Sequence, residues 1–244
     1  MSLNNARHLS IGGKDVVRLD IGGGVVWVGL PSGFKRLEYI EVTGSQYINP
    51  DFIANQDSRF VCELMLTPSS GMQSIYGARQ TASSATNASK NFTLRAVSGK
   101  WQPCYGSVLG GTGVPTDNDW HIADQNRNVF TLDGIEVADG TELTDGTTVA
   151  DGVLTKVFDE QTFTTPKSFL IGAINSAASG GNIYYCKARF RWCMLYDNAV
   201  LVRYLIPCED ADGNIGMYDV INARFHGNEG TGEFVAGPEL LLAS

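Results

Sequence analysis

Apolar and polar residues alternate at every second position along much of this chain. In CKARFRWCM (186–194), Ala188, Phe190, Trp192 and Met194 fall on one side, and Lys187, Arg189 and Arg191 on the other. A period of two sends successive side chains to opposite faces of a strand, so this segment predicts a strand with one buried face and one solvated, basic face. KRLEYIEVTG (35–44) alternates in the same way before a turn at Thr43-Gly44, and SRFVCELMLTP (58–68) reads as an apolar strand stopped by Pro68. MQSIYGAR (72–79), NFTLRAV (91–97), DWHIADQNRNVFTLDG (119–134) and KSFLIGAIN (167–175) continue the series. The helical period of 3.6 is nearly absent; NAVLVRYLIP (198–207) is the best candidate for it and reads equally well as a strand.

The first thirty residues have a different texture. HLSIGG and KDVVRLDIGGGVVWVG carry short apolar runs, Val16-Val17 and Val25 to Val28, between glycine clusters suited to tight turns. They predict a small β unit over residues 1–32 that ends in the linker-like LPSG (30–33), with the main domain over 33–244. Thirty residues bury little surface alone, so this unit is expected to lean on a neighbour.

The stretch TLDGIEVADGTELTDGTTVADG (131–152) repeats Asp-Gly at a period of six. Calcium needs six to eight oxygens, and the known calcium coils repeat at nine residues with a Gly-Gly-x-Gly-x-Asp pattern, against one Asp and one Gly per six here. Asp-Gly is also the preferred pair of a type I′ hairpin turn, and the intervening IEVA, TELT and TTVA alternate in polarity. A small meander or decorated surface loop is the favoured reading, with calcium as the alternative. EDADGN (209–214) resembles the start of an EF-hand loop but lacks the rest of that pattern, so a hairpin turn at Asp212-Gly213 is expected there.

Composition narrows the classes. Glycine is abundant at 28 residues and hydrophobic residues make up 43%, which fits a folded domain of many short, punctuated strands. A net charge of −8 argues against nucleic acid and against an anionic membrane surface. No apolar run approaches a membrane span, and MSLNNARHLSIGGKDVVRL has no apolar core of a signal peptide. The five cysteines (Cys62, Cys104, Cys186, Cys193, Cys208) lack CxxC spacing, so reduced, buried thiols from a reducing cytosol are expected rather than a zinc site.

No catalytic constellation stands out. The three histidines, His8, His121 and His226, form no zinc motif, and no nucleophile elbow, phosphate loop or dinucleotide fingerprint is present. His121, inside a strand beside Trp120, reads as structural, as does His226 before Gly227-Asn228. Alternate carboxylates on one strand, the arrangement that would serve glycoside hydrolysis, are missing. No catalytic or metal-ligating residue is assigned, and no cofactor is expected.

Several segments resemble a known family. LEYIEVTGSQYINPDF, SIYGAR, NVFTLDG and KSFLIGAIN occur in order before RFRWCMLYDNAVLVRYLIPCEDADGNIGMYDVINARFHGNEGTGEFVAG. This succession is similar to the concanavalin A-like (laminin-G-like) jelly rolls of phage and prophage tail proteins. The last fifty residues or so carry the likeness most specifically. It implies an all-β antiparallel sandwich behind the small N-terminal unit. It also implies a non-enzymatic structural role in a virion tail made in the bacterial cytoplasm. Other tail proteins and a host-surface glycan are the implied partners. The alternative is a glycan-cleaving enzyme on the same fold. Tail fibres are often trimers, but no coiled-coil repeat is present, so a homo-oligomer stays open. Within the final segment, Gly213, Gly216, Gly227, Gly230 and Gly232 sit where strands are expected to turn, and Arg203 and Asp219 are placed to pair.

A bound sugar would be expected to stack on an exposed aromatic flanked by polar groups. Trp101 and Tyr105 in GKWQPCYGS are the candidates, with Asn126 and Arg127 as polar partners; the competing reading makes both aromatics core residues.

Overall fold

The computed structural model describes residues 30–80, 90–177 and 183–240, together with the backbone of four short strands between residues 10 and 28. Among the described residues there is no helix, and two facing sheets form a β-sandwich. The larger, twelve-stranded sheet runs in the order Thr147–Ala150, Val153–Val157, Val129–Leu132, Trp120–Asn126, Ser58–Leu66, Lys187–Asp197, Val200–Glu209, Ile215–Asp219 and Arg224–His226. Ile40–Thr43 joins it beside Lys187–Asp197 and pairs in turn with Val235–Ala236, while Lys35–Arg36 pairs with the end of Val200–Glu209. The smaller, seven-stranded sheet runs Val108–Leu109, Lys100–Gly106, Asn91–Val97, Gln73–Arg79, Ala173–Ser176 and Ile183–Tyr185, with Leu170–Ile171 also on Gln73–Arg79. Pairing is antiparallel except between Gln73–Arg79 and Ala173–Ser176.

The core lies between the sheets. Phe60 and Leu64 of the large sheet meet Tyr76, Phe92 and Leu94 of the small one, with Phe169 between them. The rings of Phe60 and Tyr76 stand 4.5 Å apart edge to face, and those of Phe60 and Phe169 4.8 Å apart. Each such side chain contributes about 1.5–3 kcal/mol through burial, and edge contacts between rings add to it. All five cysteines are free and buried. A second cluster (Ile206, Cys208, Tyr218 and Val220) takes in Leu30 at the start of the stretch read as a linker, and Phe34 just after it, 5.4 Å from the Tyr218 ring, together with Phe225.

The strand Lys187–Asp197 departs from simple alternation. Its register shifts between Phe190 and Trp192, a β-bulge that sends Arg191 and Trp192 to the same, outward side. Ala188 and Phe190 are buried as expected, but beyond the bulge it is Cys193 and Leu195 that enter the core. Trp192 and Met194 therefore lie on the outer face, contrary to the period-two reading; one extra residue reverses every later side chain. NAVLVRYLIP falls mostly within the strand Val200–Glu209.

The Asp-Gly ladder is a set of turns. All four glycines (Gly134, Gly140, Gly146 and Gly152) have positive φ, but only the last pair closes a hairpin, with Asp151 (φ 51°) and Gly152 (φ 75°) joining Thr147–Ala150 to Val153–Val157. Two positive φ values in a two-residue loop are the signature of the I′ turn. Residues 210–214 close the next hairpin expected, where Asp210 Oδ1 accepts from the amides of Asp212 (2.9 Å) and Asn214 (2.8 Å). Arg203 Nε pairs with the buried Asp219 carboxylate at 3.5 Å, as expected, while also donating to the Pro50 carbonyl at 2.8 Å. Asp219 accepts in addition from the amides of Tyr204 and Ile221 and from Asn222 Nδ2. Gly216 is not at a turn; it sits inside Ile215–Asp219, where a side chain would collide with the His226 carbonyl.

In the N-terminal segment, Ser10–Ile11 pairs with Lys14–Asp15 and Arg18–Ile21 with Gly24–Val28, each as a separate two-stranded sheet. His8, Val16-Val17 and the glycine clusters at 12–13 and 22–23 lie outside the described residues.

Candidate functional site

The structure divides the four sequence candidates. Trp101 and Tyr105 are not on an exposed loop: both belong to the strand Lys100–Gly106, point toward the large sheet and are 0% and 2% exposed. Their spacing of four on one strand places them on the same, inward face. Trp101 packs edge-on against His121 at 5.8 Å, and Tyr105 lies between Phe163 (5.0 Å) and Phe158 (6.0 Å). Neither ring can offer its flat face to a sugar. Asn126 and Arg127 are exposed at the hairpin between Trp120–Asn126 and Val129–Leu132, with Arg127 at φ 53°.

Tyr105 and Arg127 nevertheless meet at one place. Gln56, Asp57, Tyr105, Arg127, Asn128, Glu160, Gln161 and Thr162 line an open cleft of about 510 Å³ at one end of the sandwich. Three loops build it: the turn before Ser58–Leu66, the Arg127-Asn128 hairpin tip and the segment after Val153–Val157. Its floor is fixed by hydrogen bonds. Tyr105 Oη donates to the Gln56 carbonyl (3.2 Å), Asn128 Nδ2 to the Phe158 carbonyl (2.9 Å), and Gln56 Oε1 accepts from the Phe163 amide (3.1 Å). Gln161 Oε1 accepts from the Ser107 amide (2.7 Å) and hydroxyl (2.9 Å). Burial, reinforced by the Asp57 carboxylate, raises the pKa of Tyr105, which keeps the phenol a hydrogen-bond donor.

The rim is polar and open. Arg127 Nη2 stands 3.5 Å from Asp57 Oδ1, and Gln56 Nε2 donates to Asp57 Oδ2 at 2.9 Å. Among the described residues the Glu160 carboxylate has no hydrogen-bond partner. The cleft thus presents two carboxylates, a guanidinium, side-chain amides and hydroxyls, with the aromatic rings closed off beneath. Such an array can exchange hydrogen bonds with a hydroxyl-rich ligand. Sequence reasoning missed Gln56, Asp57, Glu160 and Gln161, because nothing local marks residues 56 and 161 as neighbours.

Two other places are less suited. Trp101 borders a smaller depression of about 340 Å³ near the Asp-Gly ladder, with Gln102, Thr112, Glu142 and Thr144. On the outer face of the large sheet both arginines of the basic row are paired: Arg189 with Glu41 (2.7 Å), and Arg191 with both Glu38 and Glu63 (2.6 Å each). Guanidiniums also cover the aromatic faces there, Arg191 over Trp120 at 3.9 Å and Arg189 over Tyr39 at 4.9 Å. His121 is buried, its ring nitrogens 2.6 Å from the Asp133 carbonyl and 2.6 Å from Asp117 Oδ1, in a structural position.

No protein-family profile matches the chain, and no curated protein matches it. Among solved structures it is similar to a mutant of Trypanosoma rangeli sialidase displaying trans-sialidase activity, at 16% identity and a TM-score of 0.34. The match covers 57% of this chain and 20% of that one, a likeness too slight to bear on activity.

Proposed function

We propose that this chain is a non-enzymatic, tail-associated phage or prophage protein of the concanavalin A-like class, and that its end-of-sandwich cleft binds cell-surface carbohydrate. The observation that carries the binding reading is the convergence of Gln56, Asp57, Arg127, Asn128, Glu160 and Gln161 on one open depression over a hydrogen-bonded floor. Planar polar side chains with fixed orientations suit the vicinal hydroxyls of a sugar ring. The tail assignment draws on the sequence resemblance of the final segment, and other tail proteins are the partners it suggests.

A glycan-cleaving reading has one observation in its favour: Asp57 and Glu160 are two carboxylates in the same cleft. Asp57, however, is already engaged by Gln56 Nε2 and by Arg127, so both of its oxygens have partners within the protein. A glycan array followed by a reducing-sugar assay on the bound polysaccharide separates the two. Binding without release of reducing ends supports a lectin-like role; release that is lost in Glu160→Gln favours the enzyme.

A further inference from the structure

The face of the smaller sheet that points away from the core carries a different feature. In Asn91–Val97, Phe92, Leu94 and Ala96 enter the core, so Asn91, Thr93 and Arg95 lie on the opposite side. Cross-strand pairing of Ser74 with Arg95 and of Gly77 with Thr93 puts Ser74, Gly77 and Arg79 on that side too. Polar residues facing away from a core are ordinarily solvated. Here they are closed in: Arg79 is 3% exposed, Arg95 5%, Ser74 1% and Asn91 2%.

Their hydrogen bonding is incomplete. Among the described residues, Arg79 Nε and Nη2, Arg95 Nε and Ser74 Oγ are buried without a hydrogen-bond partner, as are the acceptors Gln80 Oε1 and Asn91 Oδ1. Among the described residues, the contacts these side chains make are with neutral groups. Arg79 lies over the Tyr184 ring at 4.6 Å, and Arg95 Nη2 donates to Gln102 Oε1 at 2.5 Å. Among the described residues neither arginine pairs with a carboxylate, whereas Arg59, Arg189, Arg191 and Arg224 all do. Burial and the neighbouring Arg95 guanidinium lower the pKa of Arg79, the mark of positive charges enclosed without a counter-charge. Buried, uncompensated charge is strongly disfavoured, and orphaned donors add to that penalty.

We propose that Arg79, Arg95 and the Ser74 hydroxyl form a binding site for an oxyanion, the carboxylate, sulfate or phosphate group that would supply the missing negative charge and accept from the orphaned donors. A guanidinium presents parallel N–H groups matched to two oxygens of such a group. The site is separate from the saccharide cleft and shares none of its lining residues, so either can fail without the other.

Calorimetric titration of the full chain with inorganic sulfate, inorganic phosphate and glucuronic acid, with chloride and glucose as controls at matched ionic strength, tests this. Saturable binding of at least one oxyanion is expected, weakened about tenfold or more in Arg79→Gln and in Arg95→Gln. Tighter binding of glucuronic acid than of the inorganic ions would identify an acidic saccharide as the source; the reverse would identify a free ion. Should either variant fail to fold, the arginine Nε–H resonances of the unaltered protein serve instead, and buried signals should shift on adding the oxyanion that binds. No saturable binding of any of the three, equal binding by the variants, or unmoved arginine resonances would overturn the proposal.

Discussion

Arg127 Nη2 lies 3.5 Å from Asp57 Oδ1 across the mouth of the cleft, joining two loops seventy positions apart in the chain. Both side chains are substantially exposed, so the pair contributes only about 0–1 kcal/mol to stability. Arg127→Ala should therefore leave the melting temperature nearly unchanged while weakening saccharide binding. Parallel thermal unfolding and calorimetry check this; a large drop in melting temperature would make Arg127 structural instead.

Trp101 is fully enclosed, and its removal should register as a cavity rather than as a lost binding platform. Trp101→Ala is expected to cost about 3–5 kcal/mol by chemical denaturation. A cost below about 0.5 kcal/mol, the range of exposed positions, would place the ring at the surface.

Gly106 has a φ of 54°, and a Cβ there would lie 2.2 Å from Gln161 Oε1. Gly106→Ala should displace Gln161 from Ser107, which it now accepts from, and lower stability by about 1–2 kcal/mol. The loss should appear in both denaturation and saccharide affinity, since Gln161 lines the cleft.

Burial lowers the pKa of His226 from its ordinary 6.5. Below pH 6.5 the unfolded chain takes up a proton that the folded chain resists, so the unfolded state binds more protons and stability falls as pH drops through this window. Above it the contribution is fully present. Melting temperature should decline on acidification from pH 6.5, and the decline should be shallower in His226→Gln.

Cys208, with its pKa pushed up to about 12 by burial, and Cys186, raised further by the same cause, are poor thiolates. With all five cysteines free and buried, thiol reagent should label none in the native protein within minutes and five in denaturant.

The strands and their main turns were legible from alternation and from Asp-Gly, because a strand's period and an I′ turn are properties of a few adjacent residues. The bulge at Arg191 was not: the extra residue leaves the sequence pattern intact and changes only the pairing with Ser58–Leu66, so Trp192 was placed inside. Gly, Gln and Pro around Trp101 and Tyr105 hide the strand Lys100–Gly106, whose inward positions happen to be aromatic. The cleft itself depends on loops near residues 57, 127 and 161, which are brought together only by the order of strands in the sandwich. Of the four candidates, Arg127 alone reaches that cleft from an exposed position, Tyr105 from its floor, and Asn126 and Trp101 do not line it.

The most direct test of the account is calorimetric titration of the protein with oligosaccharides prepared from bacterial wall polysaccharide, run beside an Asp57→Asn, Arg127→Ala double variant that retains its fold. The account predicts saturable binding to the unaltered protein without release of reducing ends, and affinity at least about tenfold lower in the variant. Equal affinity in the two proteins, or no saturable binding to any fragment, would contradict it.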